Sequence, residues 1–155
     1  MYTYSNLCYK IELSFPSKNL IFMSENQMGD PLVTMWHNTQ NGDEPFETNV
    51  SCVSNMDLQN PVSSIEELKE IILSDVKQSQ ESDILSINKV ELAGGSIPAY
   101  QFIYTHDDMI TVTKWLLTSF VANGTIYYVR SYVADQSKWT PAVEEQVKKI
   151  HATVK

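Results

Sequence analysis

The chain has 155 residues, 43% of them hydrophobic and 19% charged, a balance that suits one globular domain spanning 1–155 and not a disordered chain. Nineteen acidic side chains against 11 basic ones leave a net charge of −8, so the chain has no general attraction for phosphate backbones or anionic lipid, and nucleic acid is not expected as a partner. No run of about 18 apolar residues is present, which argues against a membrane-spanning helix.

The first ten residues, Met1 to Lys10, lack the basic start and apolar core of a secretory signal, which gives a cytoplasmic expectation. A chain from which such a signal had been removed would read the same way. Cys8 and Cys52 are too few for a disulfide framework. They read as thiols packed in strands, with a single Cys8–Cys52 bridge as the alternative.

Tyr9 to Phe15 alternates apolar with polar side chains, placing Tyr9, Ile11, Leu13 and Phe15 on one face of a half-buried strand that Pro16 ends. Leu20 to Met23 is a second apolar run, Met28 to Pro31 is turn material, and Leu32 to His37 is a third candidate strand. Asn38 to Glu47, with Gly42, Pro45 and three acidic residues, has no periodicity and reads as an exposed loop. Its Asp43-Glu44 pair is solvated first and a weak cation site second. In Asn49 to Ser54, Val50 and Cys52 fall on one strand face, Ser51 and Val53 on the other.

Ser64-Ile-Glu-Glu67 has the spacing of a capping box, and two early glutamates favour the positive end of the helix dipole. Ile65, Leu68, Ile72 and Val76 recur at helical spacing behind it, with Ile71 widening the stripe. The periodicity predicts an amphipathic helix covering one side of a sheet. Ile84 to Leu92 returns to strand character, with Leu85 and Ile87 on one face and Val90 and Leu92 on the other, so a bulge or a switch of buried face is expected between them. From Gly94 to Ala134 the pattern is an antiparallel meander of three aromatic and β-branched runs. Asn123-Gly124 fits a two-residue type I′ hairpin, because both residues tolerate positive φ. A last helix begins at Thr140-Pro141, a suitable cap and first turn, with Val143, Val147, Ile150 and Val154 as its apolar stripe.

The pattern holds no recognisable active site. His37, His106 and His151 lack the spacing of a zinc site. His106-Asp107-Asp108 falls where the meander turns, and aspartate suits turns; a metal-dependent hydrolase using these three residues is the alternative reading. No nucleophile elbow or phosphate loop is present, and Cys8 and Cys52 lie in or beside expected strands, where buried thiols are inert. No cofactor is expected.

The aromatic residues carry more information. Tyr100, Phe102 and Tyr104 share one strand face, and Tyr128, Arg130 and Tyr132 share another with Ile126. Filling the layers between sheet and helices is the plain explanation. The functional one is an incompletely covered apolar face for a protein partner, anchored by Arg130, whose guanidinium stacks on aromatic rings and pairs with carboxylates. Base-stacking strands sit in basic surroundings, whereas only Lys114 and Arg130 are basic within the meander.

Several short motifs together resemble the PsbP-like and DcrB-like families, whose fold is shared by the Mog-type Ran-binding import factor. The likeness rests on Tyr9-Lys-Ile-Glu-Leu-Ser-Phe-Pro16, Asn49-Val-Ser-Cys-Val53 and Ser64-Ile-Glu-Glu-Leu68. Leu92-Ala-Gly94 with Ala99-Tyr100, Gly124-Thr-Ile-Tyr-Tyr128 and the closing Ile150 to Val154 extend it over nearly the whole chain. Ser17-Lys18-Asn19 stands where those families commonly place a tryptophan, and Thr153-Val154 where they usually end in Ser-Phe. The resemblance implies an α+β fold: an antiparallel sheet of six to seven strands with helices on both faces, an α/β/α sandwich. It also implies members that act as binding, chaperone or assembly proteins. A purely structural accessory subunit whose outer surface docks on a larger complex is a further alternative.

Overall fold

The computed structural model describes residues 2–6, 11–15, 20–25, 33–37 and 46–155. Two strands, β1 (Tyr2–Asn6) and β2 (Ile11–Phe15), pair antiparallel as a separate small sheet, with Tyr4 opposite Leu13. β1 was not among the elements expected from the sequence, although Tyr2 and Tyr4 alternate there with Thr3 and Ser5. In β2, Ile11, Leu13 and Phe15 are buried as the alternation requires, whereas Tyr9 and Cys8 lie outside the described residues.

The main sheet contains β3 (Leu20–Glu25), β4 (Val33–His37), β5 (Phe46–Ser54), β6 (Ser82–Leu92), β7 (Ile97–Asp107), β8 (Val112–Ala122) and β9 (Thr125–Val133). All neighbours are antiparallel, in the order β3-β4-β5-β9-β8-β7-β6. The chain crosses from β5 to the far edge through the helix α1 (Ile65–Gln78), then returns strand by strand until β9 closes against β5. The second helix is α2 (Pro141–Ala152). The class is α+β. Phe46 and Glu47, read from the sequence as the end of an exposed loop, begin β5 instead, and Phe46 is buried. Residues 38–45 lie outside the described residues, as do residues 28–31.

Local chemistry accounts for the boundaries. Asn123 and Gly124 have φ of 54° and 72°, the two positive values that a type I′ turn demands, and they join β8 to β9 with Ala122 opposite Thr125. Ser64 caps α1 by accepting from the Glu67 amide at 3.2 Å. The glutamate does not reach back to Ser64; its carboxylate takes the Ser63 amide and hydroxyl at 3.0 and 2.8 Å, a capping box displaced by one residue. Thr140 caps α2 by accepting from the Val143 amide at 3.2 Å. In β6 the register shifts between Ile84 and Ser86, so Leu85 bulges outward and Ile84 and Ile87 face the same way. The bulge thus precedes Ile87 instead of following it. Val90 and Leu92 then face the opposite side of the sheet by simple alternation.

Two buried clusters draw on opposite sides of β8, where successive side chains alternate. Leu116 and Phe120 pack with Val50, Tyr127, Val129 and the α2 residues Val143, Val147 and Ile150, joined by Leu13 and Phe15 of β2. Leu117 packs with Phe102, Ile126 and the α1 residues Leu68 and Ile72. Each such side chain contributes about 1.5–3 kcal/mol of transfer free energy. Ile71, expected to widen the α1 stripe, faces outward and is exposed. The α2 cluster also encloses a polar string. His151 is fully buried, with Nδ1 2.7 Å from Thr118 Oγ1 and Nε2 2.8 Å from Ser131 Oγ, and Ser131 Oγ lies 2.8 Å from Thr48 Oγ1.

Candidate partner-binding face

The register of the meander decides which aromatic residues meet. Tyr104 lies opposite Trp115, Trp115 opposite Tyr132, and Tyr132 opposite Glu47, so four strands contribute to one row across the sheet. The next row is Phe102, Leu117, Arg130 and Asn49, and the third is Tyr100, Ser119, Tyr128 and Ser51. Directly paired residues share a face. All six residues singled out in the sequence therefore stand on one face, where the sequence had suggested two separate groups.

α1 divides that face. It lies chiefly over β6, β7 and β8. Phe102 sits wholly beneath it, which takes this residue out of any partner contact. Tyr100 is half-buried under Lys69, whose ammonium lies 5.3 Å from the ring centroid. Beyond the helix, Tyr104, Trp115, Tyr128, Arg130 and Tyr132 are each half-buried and retain accessible surface. Trp115 stacks between its neighbours, with centroids 6.1 Å from Tyr104 and 4.3 Å from Tyr132.

Polar contacts hold the row in place. The Tyr132 hydroxyl donates a short hydrogen bond to the Glu47 carboxylate. Burial, and then the bond to Glu47 and its charge, push the Tyr132 phenol well above its ordinary value. Burial likewise raises Tyr104, partly offset by the positive charge of Arg130. Arg130 lies with its guanidinium carbon 4.9 Å from the Tyr128 centroid and donates from Nη1 to Ser51 Oγ at 2.8 Å.

The alternative constellation resolves into a turn. The Asp107 carboxylate accepts from the Met109 amide at 2.8 Å, and that of Asp108 from the Ile110 and Thr111 amides at 2.9 and 2.7 Å. The backbone bonds from Thr111 and Ile110 hold the Asp108 carboxyl below its usual range. These carboxylates fix the β7–β8 turn and present Met109 and Ile110 almost fully exposed at its tip. His106 Nδ1 pairs with Ser82 Oγ at 3.0 Å. No group of three or more histidine, cysteine, aspartate or glutamate side chains among the described residues could hold a metal ion. Asp43 and Glu44 lie outside the described residues, as does Cys8, while Cys52 is half-buried against the α2 cluster.

Glu47 and Ser51 join the site without having been singled out for it, and Trp115, which with Trp36 and Trp139 adds to the aromatic content of the sequence, had not been placed on either strand face. For Trp115 a signal was present: Ala122 and Thr125 flank a two-residue turn, so counting back seven residues sets Trp115 opposite Tyr132. For Glu47 and Ser51 there was none, because the β5–β9 pairing is long-range.

No family model matches the chain, and no curated protein does. Its likeness is to solved structures, and the fold is that of the PsbP-like α+β proteins, as the sequence resemblance implies. One similar structure is cyanobacterial PsbP from Synechocystis sp. PCC 6803, with a TM-score of 0.61 at 12% identity over 99% of this chain and 91% of that one. LpqN of Mycobacterium tuberculosis, involved in cell envelope biogenesis, gives 0.65 at 11% over 94% and 82%. PA94 of Pseudomonas aeruginosa, a protein of unknown function suggested to be a regulator, gives 0.65 at 10% over 99% and 94%. At these identities the likeness establishes the fold alone. No described helix is long and apolar enough to cross a membrane.

Proposed function

We propose that the chain is a non-enzymatic accessory protein that holds an apolar segment of a protein partner on the part of its sheet face that α1 leaves open, from Tyr104 of β7 across β8 and β9 to Glu47 of β5. The observation that carries this reading is the half-exposed row of Tyr104, Trp115 and Tyr132 with Tyr128 and Arg130 next to it. Rigid aromatic side chains on strands offer large contact area at low entropic cost, and a helix on one half of the face leaves a step against which a second segment can pack. The commitment of Asp107 and Asp108 to backbone amides disfavours acid–base or metal chemistry at that turn. Fold neighbours described as a suggested regulator and as a participant in envelope biogenesis support an accessory role.

The test is a photo-reactive phenylalanine analogue placed at Tyr132 in the producing cell, with the exposed α2 residue Ala142 as control. One protein crosslinked repeatedly from position 132 and not from 142 is the expected result. Equal labelling from both positions, or none from 132, would contradict the proposal.

A further inference from the structure

Arg130 is the only arginine in a sequence with 19 acidic residues. It is half-buried on the face described above, with Tyr128 beneath its guanidinium and one N–H given to Ser51. Among the described residues no carboxylate lies within ion-pair distance of it. Glu47, on the same face one row away, is bound by the Tyr132 hydroxyl instead. A guanidinium offers five N–H donors in a planar fork that matches a carboxylate, and a partly desolvated charge without a counter-charge is costly. The site is therefore built around a cation whose natural partner the described residues do not provide.

We propose that the segment held on this face carries an aspartate or glutamate whose carboxylate pairs with Arg130, next to an apolar side chain packed on Trp115 and Tyr132. This rests on the function proposed above and specifies the partner's chemistry. A single arginine in a chain of net charge −8 suits one carboxylate and not a polyanion, since nucleic-acid binding neutralises several phosphates and would meet general repulsion here. The same repulsion disfavours a second copy of this chain.

The experiment is selection of a random twelve-residue peptide library, displayed on phage, against the immobilised full chain. Enriched peptides are expected to share an acidic residue beside an apolar one. Replacing that acid by its amide should weaken binding to the wild type at least tenfold and leave binding to Arg130→Gln unchanged, because the lost interaction is already absent there. Arg130→Lys, which keeps the charge but not the fork, should fall between. Far-UV circular dichroism checks that the glutamine variant folds, and the lysine variant carries the test alone if it does not. Enriched peptides without acids, or an amide replacement that costs the same on wild type and variant, overturn the inference. If such acid-free peptides still lose binding to Tyr132→Ala, the proposed function stands and only the carboxylate pairing falls. No enrichment at all removes both.

Discussion

Replacing His151 by leucine tests the buried polar string that ties α2 to the sheet. The two side chains are similar in size, so the cost is chiefly electrostatic. Thr118 Oγ1, fully buried, loses the partner it has at 2.7 Å, while Ser131 Oγ loses Nε2 at 2.8 Å but keeps Thr48. A stranded buried hydroxyl costs about 1–3 kcal/mol, and a partly satisfied one less, so His151→Leu should destabilise by about 2–4 kcal/mol. That is a large share of the roughly 5–15 kcal/mol expected of a domain. Urea unfolding at neutral pH, followed by far-UV circular dichroism, measures it as a lower midpoint at unchanged slope. The informative comparison is Thr118→Val, expected to cost about 1 kcal/mol alone but to recover about as much in the His151→Leu background, where it removes a stranded hydroxyl. Additive costs, or a loss below about 1 kcal/mol for His151→Leu, would show that Thr118, His151 and Ser131 do not act as one coupled network.

Three further outcomes are expected. Ser64→Ala removes the α1 N-cap and should cost about 1 kcal/mol in the same assay, with Ser63→Ala costing less because the Ser63 amide still meets Glu67. The raised Tyr132 phenol contributes stability that is fully present below its ordinary value of 10.0 and is lost as pH rises toward its higher folded value, so stability should decline above pH 10. Absorbance titration of Tyr132→Phe should lack one late tyrosinate step seen in the wild type. Glu144 is held below its ordinary 4.5 chiefly by the Trp139 Nε1 hydrogen bond, at 3.0 Å, so its contribution is present above that pH and is lost as pH falls through the folded value. Glu144→Gln should flatten the acid limb of the stability profile, read from thermal midpoints between pH 5 and 3.

Where a single local interaction set the structure, the sequence showed it. The Asn123-Gly124 turn and the caps at Ser64 and Thr140 each rest on contacts within a few residues, and the alternation in Ile11 to Phe15 is a local pattern even though the side chains it buries pack on the distant α2 cluster. The site was less legible because it is a matter of register. Across β8 and β9 a two-residue turn fixes that register, and counting from it sets Leu117 opposite Arg130. Across β7 and β8 the Asp107-Asp108 turn gave no such count, since the length of the loop was not evident. The β5–β9 pairing joins residues about 80 positions apart, so neither Glu47 against Tyr132 nor Ser51 near Arg130 could be read from local pattern. Phe102 shows the limit from the other direction. Its place in an aromatic alternation looked like that of Tyr104, and only the path of α1 over the sheet buries one and leaves the other half-exposed.

Partner binding on the aromatic sheet face is tested by an amide chemical-shift map of the labelled protein with the partner recovered by crosslinking from Tyr132. Changes should be confined to Glu47 to Ser51, Tyr104, Trp115 to Leu117 and Tyr128 to Tyr132. Shifts at the outer side of α2, around Glu145 to Lys149, or at the Met109-Ile110 tip, with the sheet face unchanged, would contradict it.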